Sequence, residues 1–286
     1  MRPLYGLFLL TFRELWAKKV VLGLFVISSL VLLVVTFALN LDVVEGSLEG
    51  LRLFGQDASP DPSAEGQGGG EGPEFSLTNV VVTVEAIVAG LAYWLGILLA
   101  LFASASLFPD LQAPGRVELL LSKPMSRVRA LVGHVLGVWG LVSILTVYLM
   151  GGTWLIMSIK SGVWHPRFLL SIVLVVAMFA VMYAAVMLMG VWTGSTALAL
   201  IVSYGLIFVS VVLAGADGIG PLLGSVGRPV FWGLYHLLPN FAEVTEIVVR
   251  LARDDPIESW YPLWSSVAFG GAIYGVSGYW FVRKDF

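Results

Sequence analysis

The sequence predicts an all-helical polytopic membrane protein with six transmembrane helices, and three observations carry that prediction. Of 286 residues, 58% are apolar without counting the 32 glycines, and only 12% are charged, about half the charged fraction of a soluble domain. Mean hydropathy is +0.91, so the apolar side chains exceed what one soluble core of this length can enclose. Apolar stretches of the ~20 residues that a bilayer requires occur at 20–41, 82–108, 131–157, 168–192, 195–215 and 262–282. Lysine and arginine gather in alternate connecting segments. With the N-terminus inside, the inner segments hold 10 of the 16 basic residues against 4 of the 19 acidic ones, as retention of short basic loops in the cytoplasm requires. Both termini are therefore expected in the cytoplasm, with residues 1–286 as one transmembrane domain.

Taken in order, the segment 1–19 is weakly amphipathic: Arg13 and Glu14 interrupt a row of Leu, Phe and Tyr, which suits a helix lying at the cytoplasmic interface. The first apolar run exceeds a signal-peptide core and no small-residue cleavage site follows it, so it reads as a retained span. The loop 42–79 carries eight carboxylates and one arginine. Its stretch Ser59–Glu74 offers nothing to bury and reads as a flexible external loop. Residues 216–261 are long and partly apolar, broken by Gly220, Pro221, Gly227, Pro229 and Pro239, which predicts short re-entrant or interfacial external helices. Within them, 243–253 has helical apolar spacing and places Glu246 four residues before Arg250; it is expected on the outer surface. Lys160 and Arg167 fall outside, against the general charge bias.

The most informative connection is the cytoplasmic loop 109–130. Its patch Val117, Leu119, Leu120 and Leu121 is apolar yet faces water, bounded by Gly115 and Pro124. Such a patch either docks in a partner's groove or anchors the loop to lipid. The run Gly115, Arg116, Val117, Glu118, Leu119 to Leu121, Pro124, Ser126, Arg127 and Gly133 resembles the first cytoplasmic loop of ABC-2 type permeases, the type V exporter transmembrane subunits. Arg13 to Leu15, the six-span count and Leu238 to Phe241 agree with it, and the likeness is greatest to small permeases related to the nitrous-oxide-reductase maturation permease. The resemblance implies that Arg116 to Leu121, Pro124 and Arg127 form a coupling helix seated in a cytoplasmic ATPase. It also implies two copies of that ATPase, a second copy of this chain, and residence in a bacterial cytoplasmic membrane.

Other chemistry finds less support. With no cysteine, disulfides, thiolate metal sites and cysteine nucleophiles are excluded. No GxxxxGK[ST] loop occurs, so the chain does not hold ATP phosphates that way; ATP and magnesium would sit on the partner, leaving this chain without a cofactor or enzyme activity of its own. No feature points to nucleic acid. Gly275-Val276-Ser277-Gly278 resembles the rhomboid protease motif, but no histidine follows to serve as base. Met178, Met182 and Met189 share one face of the fourth span, spaced as soft ligands for Cu(I) or as ordinary core. Glu85 is placed at the outer interface and His134 at the cytoplasmic start of the third span. Gly133 with Gly137, and Gly271 with Gly275, read as helix-packing faces. The function expected is permease for export or for force transmission to an external partner, with a non-transporting scaffold or maturation factor as the alternative and the protease as a remote one.

The topology is directly testable. In intact cells an impermeant reagent is expected to reach a tag inserted at Gly69 and not one attached at Phe286; labelling at Phe286 would overturn the orientation.

Overall fold

The computed structural model describes residues 19–44, 47–53, 56–57, 77–107, 109, 127–215, 218, 224 and 227–283. The segment 1–18, the stretch Ser59–Glu74 and most of the loop 109–130 lie outside them. The molecule is a helical membrane protein. Four helices are long and apolar enough to cross a bilayer: Thr78–Ser104, Val128–Ser161, Phe168–Thr193 and Thr196–Ala214. The first and last stretches expected to span are also helical, α1 (Lys19–Ala38) and α10 (Tyr261–Arg283).

Both long rods between them are interrupted. α2 (Leu77–Leu91) runs into a π-helical turn at Ala92–Gly96 and continues as α3 (Ile97–Ser104). α4 (Arg127–Thr146) passes through a second π turn at Val147–Gly151 into α5 (Gly152–Ser161). The second rod has 34 apolar-rich residues, or about 51 Å at 1.5 Å per residue, against about 30 Å of hydrocarbon, so it crosses at a tilt or extends beyond the hydrocarbon. Gly162 ends α5 at φ 72° and Gly194 ends α6 (Phe168–Thr193) at φ 65°, left-handed caps that glycine adopts without a Cβ penalty. Ser195 then caps α7 (Thr196–Ala214), its hydroxyl accepting from the Leu198 N–H.

α6 is the centre. Two thirds of its most apolar window is enclosed (67%), against 28% for α7, and Met178, Phe179, Met182, Tyr183 and Val186 are fully covered. α3, α4, α7, α10 and the short helix α9 (Phe241–Ala252) all pack on it. The close approach to α10 is at Gly270, where a Cβ would stand 3.1 Å from the Val181 Cα. Gly271 and Gly275, expected to form a helix-packing face, are exposed, and a Cβ at either would meet nothing within 4 Å among the described residues. At about 100° per residue, Gly271 lies roughly 100° and Gly275 roughly 140° around the helix from Gly270. Gly133 and Gly137 on α4 are buried.

Two connecting segments expected to be external differ from expectation in structure. The helix α1 ends at Ala38 rather than 41, and the chain enters a small antiparallel sheet of β1 (Leu39–Val44), β2 (Ser47–Leu53) and β3 (Gln56–Asp57) where an irregular loop was expected. Its register sets Leu39 opposite Leu53 and Leu41 opposite Leu51, with a bulge between Asp42 and Val43. In 216–261, α8 (Gly227–Leu237) leads into α9. α9 is not merely laid on the surface: Phe241, Val244, Ile247, Val248 and Leu251 are buried against α2, α6 and α7. Its polar face carries Arg250, paired with Glu246 (2.7 Å) as the i, i+4 spacing predicts and with Glu258 (2.8 Å). The Glu246 and Glu258 carboxylates push the Arg250 guanidinium above its usual pKa.

The Gly270 contact makes a stability prediction. Gly270→Leu is expected to cost about 1–3 kcal/mol through overpacking against backbone, whereas Gly271→Leu should fall within about 0.5 kcal/mol of the parent. Thermal unfolding of the detergent-solubilised variants measures both.

Candidate functional site

The two π turns face one narrow cavity. It is lined by Leu24 and Ser28 of α1, Ala92, Gly96, Ile97 and Ala100 of the first rod, Val142, Leu145, Thr146 and Leu149 of the second, and Val175 of α6, and encloses about 50 Å³. That is room for a few waters and too little for a solute. Its polarity is low because Thr146 turns its hydroxyl back to the Val142 carbonyl (2.8 Å). π turns inside α-helices concentrate at functional positions, and here two of them share a wall.

Each π turn also carries a tyrosine that reaches another element. The Tyr93 hydroxyl, fully buried, donates to the Phe241 carbonyl at the start of α9 (2.6 Å), and the two rings lie 4.6 Å apart. Tyr148 stacks on Phe25 at 5.0 Å and shares a 3.0 Å hydrogen bond with Ser29 of α1. Tyr204 of α7 donates to the Leu98 carbonyl just past the first π turn (2.9 Å). The first turn is thus bonded to α9, the second to α1, and the cavity lies between them.

A second polar feature sits in α2, in the N-terminal half of the first rod. Glu85, placed by the sequence at the interface, is fully buried, and its Oε2 lies 2.8 Å from Nδ1 of His165 in the α5–α6 link. Oε1 of Glu85, Nε2 of His165, and the nearby α5 atoms Trp154 Nε1 and Ser158 Oγ are buried with no hydrogen-bond partner among the described residues. Trp154 packs edge-on against Trp164, next to His165 (5.3 Å). A carboxyl enclosed with a single imidazole is costly unless paired, so the pair locks α2 to the α5–α6 link. The basic residues that ran against the charge bias have local work. Lys160 donates to the Thr36 carbonyl in the last turn of α1, and Arg167 pairs with Asp254, which ends α9 at φ 62°.

Among the residues singled out from sequence, Arg116, Val117, Glu118, Leu119, Leu120, Leu121 and Pro124 lie outside the described residues, and Arg127 opens α4. Met178 and Met182 are fully buried in the core cluster, and Met189 is partly buried against it. Among the described residues no group of three or more His, Asp or Glu gathers as a metal site. His134 is buried. Ser277 donates to the Ile273 carbonyl one turn back (2.7 Å), and among the described residues no hydrogen bond joins it to a histidine. The sequence reading missed both π turns and the Glu85–His165 pairing. The pairing had one available signal, an acid inside an apolar run together with a histidine, His165, in the link that follows the next rod.

No protein-family model and no curated protein sequence matches the chain.

The buried pair predicts an asymmetry. His165→Leu leaves the Glu85 carboxyl enclosed without its partner and is expected to cost about 3–5 kcal/mol, whereas replacing both residues with leucine should restore most of the loss. Thermal unfolding of the single and double variants measures this, and an unaffected His165→Leu would show that the pair does not bear on stability.

Proposed function

We propose that the chain is the membrane-spanning subunit of an ABC-2 type exporter, with six spans, both termini cytoplasmic, in a bacterial cytoplasmic membrane. In this reading it works as a homodimer with two copies of a separate ATPase that binds the segment 116–127. The observation that carries the proposal is the shared cavity of the π turns. The segment 108–126 joins the inner ends of α3 and α4, and each of these helices leads directly to one π turn. Displacement of that segment by an ATPase acts at once on both walls of the cavity. Because Tyr93 bonds α9, the same displacement is conveyed to the external helices, which suits export and force transmission to an external partner alike.

The dimer has support in what the fold leaves uncovered. α1 exposes Val26, Leu30, Leu33 and Phe37, and α7 exposes Ile201 and Phe208; both helices pack on α3. A second copy seated there would bring two sets of π turns around a common axis.

Docking of an apolar patch in an ATPase cleft requires that a charge placed in the patch be desolvated on binding, which costs several kcal/mol without a partner, and about 1.4 kcal/mol is tenfold in affinity. Leu120→Asp is therefore expected to abolish co-purification of the ATPase while the spans remain inserted, and Leu120→Met to preserve it. Full retention by Leu120→Asp at matched expression would remove the coupling assignment and leave the scaffold reading.

A further inference from the structure

The inner ends of α4, α6 and α10 form two apolar troughs side by side. The larger, about 750 Å³, runs between α4 and α10 over a floor that includes Met187, and it is open because Gly275 and Gly278 bring no side chains to its wall. The smaller, about 470 Å³, lies on the other flank of α10 against Trp192 and Trp280. Tyr279 and Arg283 line both.

The polar groups of the larger trough are already engaged. Trp139 donates to the Tyr274 hydroxyl (3.2 Å), which donates to the Ala180 carbonyl (2.7 Å). The surface therefore offers hydrocarbon contact and nothing else until Arg283, at the last turn of α10. Its guanidinium lies 4.3 Å over the Tyr279 ring, and among the described residues no carboxylate pairs with it. Trp192, Tyr279 and Trp280 are exposed at the same end, the pattern of an aromatic belt at a membrane boundary, where an arginine reaches the headgroup layer.

We propose that this is a binding site for one anionic diacyl phospholipid, an acyl chain in each trough and the phosphate on Arg283. Two apolar channels converging on one cation match the two tails and single charged head of that class. Guanidinium suits phosphate because its planar donors engage two oxygens together. The sequence adds Arg127, Arg129 and Lys284 near these helix ends against the single acid Asp285, which favours an anionic headgroup over a zwitterionic one. A second copy of the chain fits less well, because a two-fold contact buries the same patch of both subunits, and the lining of the two troughs holds a cation but no carboxylate to meet it.

The test uses the full chain in nanodiscs of mixed phosphatidylglycerol and phosphatidylcholine, followed by release into detergent and native mass spectrometry of retained lipid. The parent is expected to retain phosphatidylglycerol about tenfold over phosphatidylcholine. Arg283→Gln should remove that preference while leaving the fold intact, since it keeps the stem and loses the charge. Gly275→Phe, which fills the larger trough where a Cβ meets nothing within 4 Å, should lower retention of both lipids, and Gly271→Phe, equally unobstructed but outside the troughs, should not. Equal retention of the two lipids by the parent, or retention unchanged in both Arg283→Gln and Gly275→Phe, overturns the site. So does dissociation of a dimer by Gly275→Phe, or crosslinking of the 1–18 segment into the trough, since each would assign another occupant. None of these outcomes depends on ATPase binding, so failure here is separable from failure of the exporter reading.

Discussion

Enclosing α6 is the constraint on which the other helices depend. Lipid tails are as apolar as leucine, so helices in a bilayer do not associate to escape their solvent; they associate where surfaces fit closely and where a few polar groups find one another. α6 supplies both. Val181 admits the backbone of α10 at Gly270, and the Ala180 carbonyl accepts from Tyr274, which in turn accepts from Trp139 of α4. Three helices are thereby fixed to one another by one glycine and two hydrogen bonds. α9 closes the outer end of the same post, with Ser171 of α6 donating to the Val248 carbonyl at 3.3 Å.

Around that post the chain is stiff in some places and deliberately irregular in others. The outer end is pinned by Glu85 with His165, Arg167 with Asp254, and Lys160 with the end of α1. Asn240 at the start of α9, whose N–H donates to Ser266 of α10, keeps the outer helix registered against the last span.

Much of this architecture is legible in the sequence and some is not, for reasons that differ. The apolar runs and the basic connections are properties of composition, so the helices appear where they were expected. The partner of Glu85 is 80 residues away, and no local pattern announces a contact of that range. Gly270 was missed in favour of Gly271 and Gly275 because small residues recur along α10 and sequence does not fix which of its faces turns inward. The sheet at 39–57 was masked by its acidity, although Leu39, Leu41, Leu51 and Leu53 alternate as strand residues do. The π turns have no sequence signature at all: AYWLG and VYLMG read as ordinary helix.

Those two turns carry a geometric consequence. Each accommodates an extra residue relative to the ladder around it, a surplus that a helix can hold at one place or hand along its length. Passing it across any given residue rotates that residue by roughly 100° about the axis without unwinding the rod. A pair of adjacent helices that each store such a surplus at the same depth can exchange which faces meet, swapping alanine and glycine for leucine and valine, while their ends stay where the outer ties hold them.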